Sequence, residues 1–426
     1  MAPRLSGVMR RMFMAVLIPF RALRPRKAVA EAVAALPYDV MNVEEAREMV
    51  RENPLSFLHV EKSEVDVPAY PGGGDDQVYE MARQNLESLI RDRILVQDDK
   101  PCLYLYRLRM GAREQTGVVA GLRIEDYEAG RIKKHELTRA DKEAERTRHI
   151  DTVHAHTGAI FMTYRRSETI GRIVDGIKRE SPEYDFVSAD GIGHTVWVVR
   201  RDEEIRNLVG AFATLPALYI ADGHTRSAAA AAVARQRRER NPFHRGDESY
   251  NIFLAVLFPD DEVRIMDYNR AVRDLGGLTE AAFLGKVGRI FQVREGFPQK
   301  SPSHLHEFGM YLPGRWYQLI LSAERVDTRD PVKVLDVSLL QELLLRPVLG
   351  IADPRTDNRI KFVGGIRGMA ELERLVDSGA YAVAFSLCPT ALEQLMAVAE
   401  AGQVMPPKST WFEPKLRSGL FVHLLD

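Results

Sequence analysis

Only two cysteines occur in 426 residues, Cys102 and Cys388, far apart along the chain. A structural zinc site needs closely spaced ligand pairs and a secreted disulfide scaffold needs more thiols, so neither is expected. Two reduced thiols fit a cytoplasmic protein. An excess of one charge is missing as well: 59 Lys and Arg face 60 Asp and Glu, a net charge of −1. That argues against a broad basic face for duplex DNA, and no nucleic-acid partner is expected. No apolar run reaches the roughly 18 residues needed to span a bilayer, so no membrane partner is expected either. The stretch Phe13–Phe20 behind Arg4, Arg10 and Arg11 imitates a signal peptide. It is short, contains Pro19, and runs into Arg21, Arg24, Arg26 and Lys27 without a small-residue cleavage site. Residues 1–14 are read as a flexible basic extension. A Walker loop is absent too. The glycine-rich Pro71–Gln77 (PGGGDDQ) lacks the following Lys-Ser/Thr and reads as a connector.

What is present is a chain with 45% hydrophobic and 28% charged residues, ordinary for a globular protein of two or three domains. Met41–Pro54 reads as a helix with Asn42 as N-cap, Glu44 and Glu45 at its positive end and Asn53-Pro54 as its stop. LSFLHV (Leu55–Val60) reads as a strand. CLYLYRLRM and TGVVAGLRI read as a hairpin turning between Gly111 and Gly117. Further strands are predicted at 159–163, 195–199, 218–221, 251–258, 316–321 and 381–386. Helices are predicted at 139–157, 202–212, 225–240, 278–287, 336–346, 369–377 and 390–402. This mixture implies an α/β or α+β fold, a mixed sheet with flanking helices. The Pro, Ser and His-rich stretch 295–309 is the best linker candidate.

The densest chemistry lies where the apolar run Ala217–Ala221 stops at Asp222-Gly223-His224-Thr225-Arg226 and an alanine-rich helix follows. A helix N-terminus leaves N–H groups unpaired and carries about half a positive charge, so it attracts anions. Gly223 lets the backbone approach a ligand closely. His224 adds a donor, and Arg226 adds the planar fork that suits phosphate oxygens. Asp222 could orient the histidine, help hold a divalent cation or simply cap the helix.

A second cluster is Lys133–Asp151 (KKHELTRADKEAERTRHID). Thr138 with Asp141 fits a capping box, which starts a helix near Arg139 and aligns Arg139, Glu143, Arg146 and Ile150 on one face. Lys142 and Glu145 read as a solvated, ion-paired face. His135 and Glu136 stand just ahead of the helix, where an acid in a basic setting can deprotonate an alcohol during phosphoryl transfer. A third cluster, Met405–Leu420 (MPPKSTWFEPKLRSGL), alternates Lys408, Lys415 and Arg417 with Ser409, Thr410, Trp411 and Ser418, and its prolines deny it a helix. It is either a surface strand returning to the sheet or a segment that closes a site. Pro37–Val40 (PYDV) reads as a buried turn with a tyrosine.

Asp-Gly-His-x-Arg before an alanine-rich helix resembles the phosphate-binding box of the ParB/sulfiredoxin-like superfamily. Sulfiredoxin chemistry needs a cysteine where this chain has His224, and no helix-turn-helix of the DNA-partition type follows. Taken in order, IPFRALRP, PYDV, HELT…KE…R, ADGHTR and MPPKSTWFEPKLRSGL resemble a bacterial and archaeal family long catalogued as a domain of unknown function. One branch of it is similar to pyrophosphate-dependent kinases of free L-serine. His135, Glu136, Thr138, Lys142, Glu143 and Arg146 match its pattern, as do Asp222, Gly223, His224 and Arg226; Thr225 stands where many relatives carry a second histidine. The resemblance implies a ParB/sulfiredoxin-like phosphate-binding core elaborated by additional α/β segments. Its expected division is 1–14 extension, 15–130 N-terminal region, 131–295 catalytic region and 296–426 C-terminal region closing the site. It implies a phosphotransferase acting on an alcohol, making O-phospho-L-serine from pyrophosphate or a nucleoside triphosphate. Mg²⁺ is the expected cofactor, held in part by Asp222, with no organic cofactor. Glu136, His135, Asp222 and His224 are the candidate catalytic residues. Gly223, Thr225, Arg226, Arg146 and Lys142 would contact the donor; Lys408, Ser409, Thr410 and Arg417 would contact the substrate. The alternative is a regulatory module that holds a nucleotide or phosphometabolite without turning it over. A homo-oligomer is left open.

Overall fold

Alternation along the expected hairpin decides the first layer. The structure, a computed structural model, describes residues 15–67 and 76–425; the N-terminal extension and the glycines of the Pro71–Gln77 loop lie outside them. The chain divides into two compact units, one formed by Met1–Lys134, Thr138–Val263 and Pro414–Asp426, the other by His135–Leu137 and Arg264–Glu413.

The first unit is built on a nine-stranded sheet. Its strands are β1 (Leu17–Ile18), β2 (Leu103–Met110), β3 (Arg113–Arg123), β4 (Ile132–Lys133), β5 (Ile160–Tyr164), β6 (Tyr184–Val187), β7 (Gly193–Val199), β8 (Leu218–Asp222) and β9 (Ile252–Pro259). They lie in the order β4-β8-β5-β9-β3-β2-β7-β6, with β1 against the far end of β3. β4 with β8 and β5 with β9 pair in parallel, and the other neighbours are antiparallel, so the sheet is mixed. Leu103, Leu105, Val118, Ala120 and Leu122 share one core with helices, because side chains two apart point to the same face. Tyr104 and Tyr106 point the other way, with ring centroids 5.3 and 5.9 Å from Phe421 of the returning C-terminal segment. Covered on both faces, a strand such as β9 (IFLAVLFP) is almost continuously apolar.

The flanking helices are α1 (Val43–Val50), α2 (Leu58–Glu61), α3 (Asp76–Arg91), α4 (Ala140–Val153), α5 (Glu168–Ile177), α6 (Asp202–Phe212) and α7 (His224–Arg240). α1 starts where expected: Asn42 Oδ1 accepts from the Glu45 amide at 2.8 Å, and Glu45 Oε2 accepts from the Asn42 amide at 2.9 Å. α7 buries Ala229, Ala230, Ala231 and Ala234, small side chains that let its backbone lie close to the sheet, and α4 packs along it. Two local expectations need correction. Leu55–Val60 is not a strand: Leu58–Glu61 is helical, and Phe57, Leu58 and Val60 fill a small core with Ala46, Ala82 and Leu86. A short apolar run does not by itself separate the two conformations. The Thr138–Asp141 capping box does not form either. Arg139 is the N-cap without a side-chain bond, Thr138 Oγ1 donates to Glu143 at 2.7 Å, and Asp141 is taken by Arg139 at 2.6 Å.

The second unit carries β10 (Tyr268–Val272), β11 (Gln292–Glu295), β12 (Glu307–Leu312), β13 (Arg315–Ile320), β14 (Ile360–Gly364) and β15 (Val383–Leu387). They form one antiparallel sheet in the order β11-β13-β12-β15-β10-β14. Its helices are α8 (Glu280–Val287), α9 (Asp336–Leu340), α10 (Gly368–Asp377) and α11 (Leu392–Glu400). Leu372, Leu375 and Val376 of α10 pack on Ala271, Tyr311 and Ala384 of the sheet. The helix expected over 336–346 changes to a π-turn at Gln341–Leu345. The stretch 295–309 connects two strands of this one sheet and is no domain linker; its last residues enter β12, between β13 and β15. Along the sequence the chain passes from one unit to the other after Lys134, Leu137, Val263 and Glu413. The fold is α/β, a mixed sheet with flanking helices, joined to a second unit of α+β type.

Candidate functional site

The corner begins with a break in strand pairing. β8 runs in register with β5 at Tyr219 and Ile220, then shifts, so that Asp222 faces Phe161. The extra residue, Ala221, puts Asp222 out of step with Leu218 and Ile220, which face the helices. Asp222 instead lines a small cleft with Phe161, Arg226 and Lys415. Gly223 follows as the N-cap of α7 at φ +103°, a backbone conformation that an L side chain rarely adopts. As a glycine, the N-cap has no side chain with which to cap this end of α7.

Asp222 and Lys415 form an ion pair of 2.9 Å across 193 residues of chain. Burial raises the carboxyl's pKa, but Lys415, Arg226 and His224 outweigh it and hold the group well below the usual carboxylate range. Burial pushes His224 down to about 4, with Asp222 opposing and Lys134 assisting, so the imidazole is neutral at pH 7. Arg226 is buried, donates from Nη1 to the Ala159 carbonyl at 2.9 Å and reaches Asp39 from Nη2 at 3.4 Å. Although burial alone would lower it, the surrounding Asp39, Tyr38, Asp222 and Glu61 keep its guanidinium firmly charged.

A second buried arginine joins it. Arg146 Nη2 donates to both oxygens of Glu61, at 3.0 and 2.9 Å, and contacts Thr157 Oγ1 at 2.9 Å. The Tyr38 ring lies under both guanidinium groups, with centroids 4.5 Å from Arg146 and 5.7 Å from Arg226. Burial would raise Glu61, yet Arg146, His149, Thr157 and Arg226 bring it down to about 2. His149 donates from Nε2 to the Val60 carbonyl at 2.9 Å, and burial followed by Arg146 lowers it to about 4. Its Nδ1 and Arg146 Nε are buried with no hydrogen-bond partner among the described residues. Both residues line a cavity of about 80 Å³ beside Tyr38, Glu61 and Lys142. Gly158 fits where a Cβ would stand 3.3 Å from Glu61 and 3.5 Å from Arg226, which leaves room for little else.

The structure therefore brings together Asp222, Gly223, His224, Thr225, Arg226 and Arg146. Lys142 reaches the small cavity, but its ammonium is bound to Glu145 at 2.8 Å. Arg417, expected on substrate, is buried and committed to Asp190 and Ser188, with its amide on the Tyr106 hydroxyl. Tyr106 also meets His194 Nδ1 at 2.8 Å, and His194 Nε2 meets Ser188 at 2.9 Å, so Arg417 ends a polar pillar that anchors the segment carrying Lys415. His135, Glu136, Lys408, Ser409 and Thr410 belong to the second unit. There, His135 is buried and its carbonyl accepts from the Met405 amide at 2.7 Å. Lys408 is exposed, and its carbonyl accepts from Arg270 at 2.9 Å. The Ser409 hydroxyl donates to the Pro406 carbonyl at 2.6 Å.

Sequence reasoning gave no role to Glu61 or Thr157 and little to Tyr38 and Asp39. Glu61 stands just past Leu55–Val60, the stretch read as a strand. The signal for Tyr38 and Asp39 was the PYDV turn itself, an acid and an aromatic ring suited to arginine.

The model of a family described as "Protein of unknown function (DUF1015)" matches residues 17–338. The chain belongs to this family. The DUF1015 match includes Tyr38, Glu61, Arg146 and the Asp222–Arg226 corner, while Lys415 and Arg417 lie beyond it. None of the curated proteins searched matches the chain. Among solved structures it is similar to a free serine kinase in complex with AMP, at 13% identity and a TM-score of 0.35, covering 72% of this chain and 91% of that one. It is also similar to a conserved hypothetical protein from Pyrococcus furiosus, at 12% identity and a TM-score of 0.34, covering 72% and 94%. A third is SbnI with C-terminal truncation from Staphylococcus aureus, at 9% identity and a TM-score of 0.39, covering 72% and 87%.

Proposed function

We propose that this DUF1015 protein is a small-molecule kinase that converts free L-serine to O-phospho-L-serine, with pyrophosphate or a nucleoside triphosphate as donor. The observation that carries the proposal is the corner itself: a helix N-terminus on a left-handed glycine, flanked by the buried cations Arg226 and Arg146. Helix amides and arginine forks are the groups that bind phosphate oxygens, and fixed in place they stabilise charge that spreads over a transferring phosphoryl group. The choice of serine rests on the motif resemblance.

In this reading the serine hydroxyl oxygen attacks the terminal phosphorus, the bond to the leaving phosphate breaks, and the hydroxyl proton passes to Glu136. Gly223, Thr225 and Arg226 hold the donor, with Arg146 as a second cation. Neutral His224 donates or accepts hydrogen bonds as charge moves, and His135 is its proposed companion. Lys408, Ser409 and Thr410 are the proposed substrate contacts, and Arg417 serves by anchoring its segment. Mg²⁺ would be held by Asp222 together with oxygens of the donor, where it would neutralise donor charge. The residues suit this: a carboxylate has about four lone-pair sites, so Lys415 does not exhaust Asp222, and Mg²⁺ commonly takes one or two protein carboxylates plus phosphate oxygens.

The test is phosphorus NMR on the purified protein with Mg²⁺ and L-serine, offering pyrophosphate, ATP, ADP or CTP in parallel. A new phosphomonoester resonance is expected with one donor, and Glu136→Gln should abolish it while leaving donor affinity nearly intact. Orthophosphate alone would replace the kinase by a hydrolase or another acceptor. Saturable donor binding without turnover would replace it by a ligand-sensing module.

A further inference from the structure

The second unit holds a cavity of about 640 Å³, separate in its residues from every group used above except the turn before Lys408. Its size falls within the range of small-molecule sites. Val332, Leu339, Leu343, Pro406 and Pro407 supply apolar wall. In that wall stands Ser338, buried to 6% exposure, whose hydroxyl finds no hydrogen-bond partner among the described residues. A buried hydroxyl without a partner costs the chain its lost hydration, so it is kept where something else satisfies it. The next residues, Gln341–Leu345, form the π-turn, a local distortion often found at functional sites. Gln341 also lines the cavity, but its amide is spent on the Ile351 carbonyl at 2.8 Å, which leaves Ser338 as the uncommitted polar group of this buried wall.

Charge around the rim has a sign. Each acid of the lining already has an arginine: Asp327 with Arg329 at 3.1 Å, Glu342 with Arg346 at 2.7 Å and Asp353 with Arg355 at 2.8 Å. The lysine of the lining is less well satisfied. Lys333 meets Asp330 only at 3.9 Å, and that carboxylate already accepts from the amides of Val332 and Lys333. Among the described residues Arg325 donates to the Arg289 carbonyl at 3.3 Å and pairs with no carboxylate. An anionic group would meet both cations, and an apolar body would cover the leucine and proline wall.

We propose that this cavity binds an amphipathic monocarboxylate, its alkyl part against Leu339, Leu343 and the two prolines, its carboxylate on Lys333 and Arg325, with Ser338 donating to it. The site is independent of the phosphoryl-transfer reading. Octanoate is the probe, with octan-1-ol as the uncharged control, titrated into the full chain and followed by calorimetry and by the methyl resonances of Leu339 and Leu343. Saturable octanoate binding that shifts both leucines is expected. Lys333→Gln should weaken octanoate at least fivefold and leave octan-1-ol unchanged. Ser338→Ala, a substitution that removes an unsatisfied group and should fold at least as well, should weaken octanoate about threefold. Octan-1-ol binding as tightly as octanoate, octanoate affinity unmoved by Lys333→Gln, or leucine methyls that do not respond would each overturn the proposal.

Discussion

At the scale of single residues, the buried charges around Tyr38 govern how the protein responds to acid. His149 and His224 hold protons in the folded state only below about pH 4, whereas the unfolded chain takes them up near 6.5. Unfolding therefore binds protons between these values, and stability falls as pH drops from about 6.5 to 4, on the order of 3 kcal/mol for each histidine. Glu61 acts lower: its contribution, full above the unfolded carboxyl value of 4.5, is lost as pH falls towards about 2. Urea denaturation at pH 7.5, 6.0 and 5.0 checks the first window, and a flat midpoint would refute the neutral, buried imidazoles. Glu61→Ala should lower the unfolding free energy by about 3–5 kcal/mol, because it strands the buried Arg146 guanidinium. The same denaturation assay reads it. Arg226→Lys retains the charge and removes the fork, so the donor's KM should rise about tenfold or more while the circular dichroism spectrum stays unchanged. The Asp222–Arg226 run was legible in the sequence because its residues are contiguous. Glu61 and Thr157 were not, since each gains meaning only from Arg146, which lies 85 and 11 residues away; Tyr38 was marked only by its PYDV turn.

At the scale of elements, close packing of α7 is the feature most exposed to test. Ala230 is buried at 1% exposure between helix and sheet. Ala230→Leu should cost about 1–3 kcal/mol by overpacking, measured as a lower denaturation midpoint with an unchanged slope; full tolerance would mean that the helix does not lie so near the sheet. Elements with a strong local signature were read correctly, such as α1 with its reciprocal cap and the β2–β3 hairpin. α5 escaped prediction although Ser167 caps it by accepting from the Ile170 amide. α2 was mistaken for strand because four helical residues are too few to show a period. In the second sheet β13 and β15 were foreseen and β10, β11, β12 and β14 were not; β10 pairs with β14 and β15, both far along the chain.

At the scale of the whole molecule, the two cysteines fall in different units and are free, Cys102 buried and Cys388 partly so. No covalent bridge contributes to stability, so a reducing agent should leave the melting temperature unchanged within error in a thermal scan; a fall would reveal a disulfide. The mixed sheet and flanking helices were foreseeable from the alternation of apolar runs. The division into units was not, because Pro414–Asp426 returns to the first unit after an excursion of 150 residues through Arg264–Glu413.

That return has a consequence for synthesis. Asp222 leaves the ribosome long before Lys415 exists, so a nascent chain carries the acid of the corner without its counter-ion. A chain that ends anywhere between Asp222 and Lys415 would carry this half-buried carboxylate with Arg226 and His224 beside it but without its ion-pair partner. The anion-binding corner therefore comes to its final charge only once synthesis has passed Lys415.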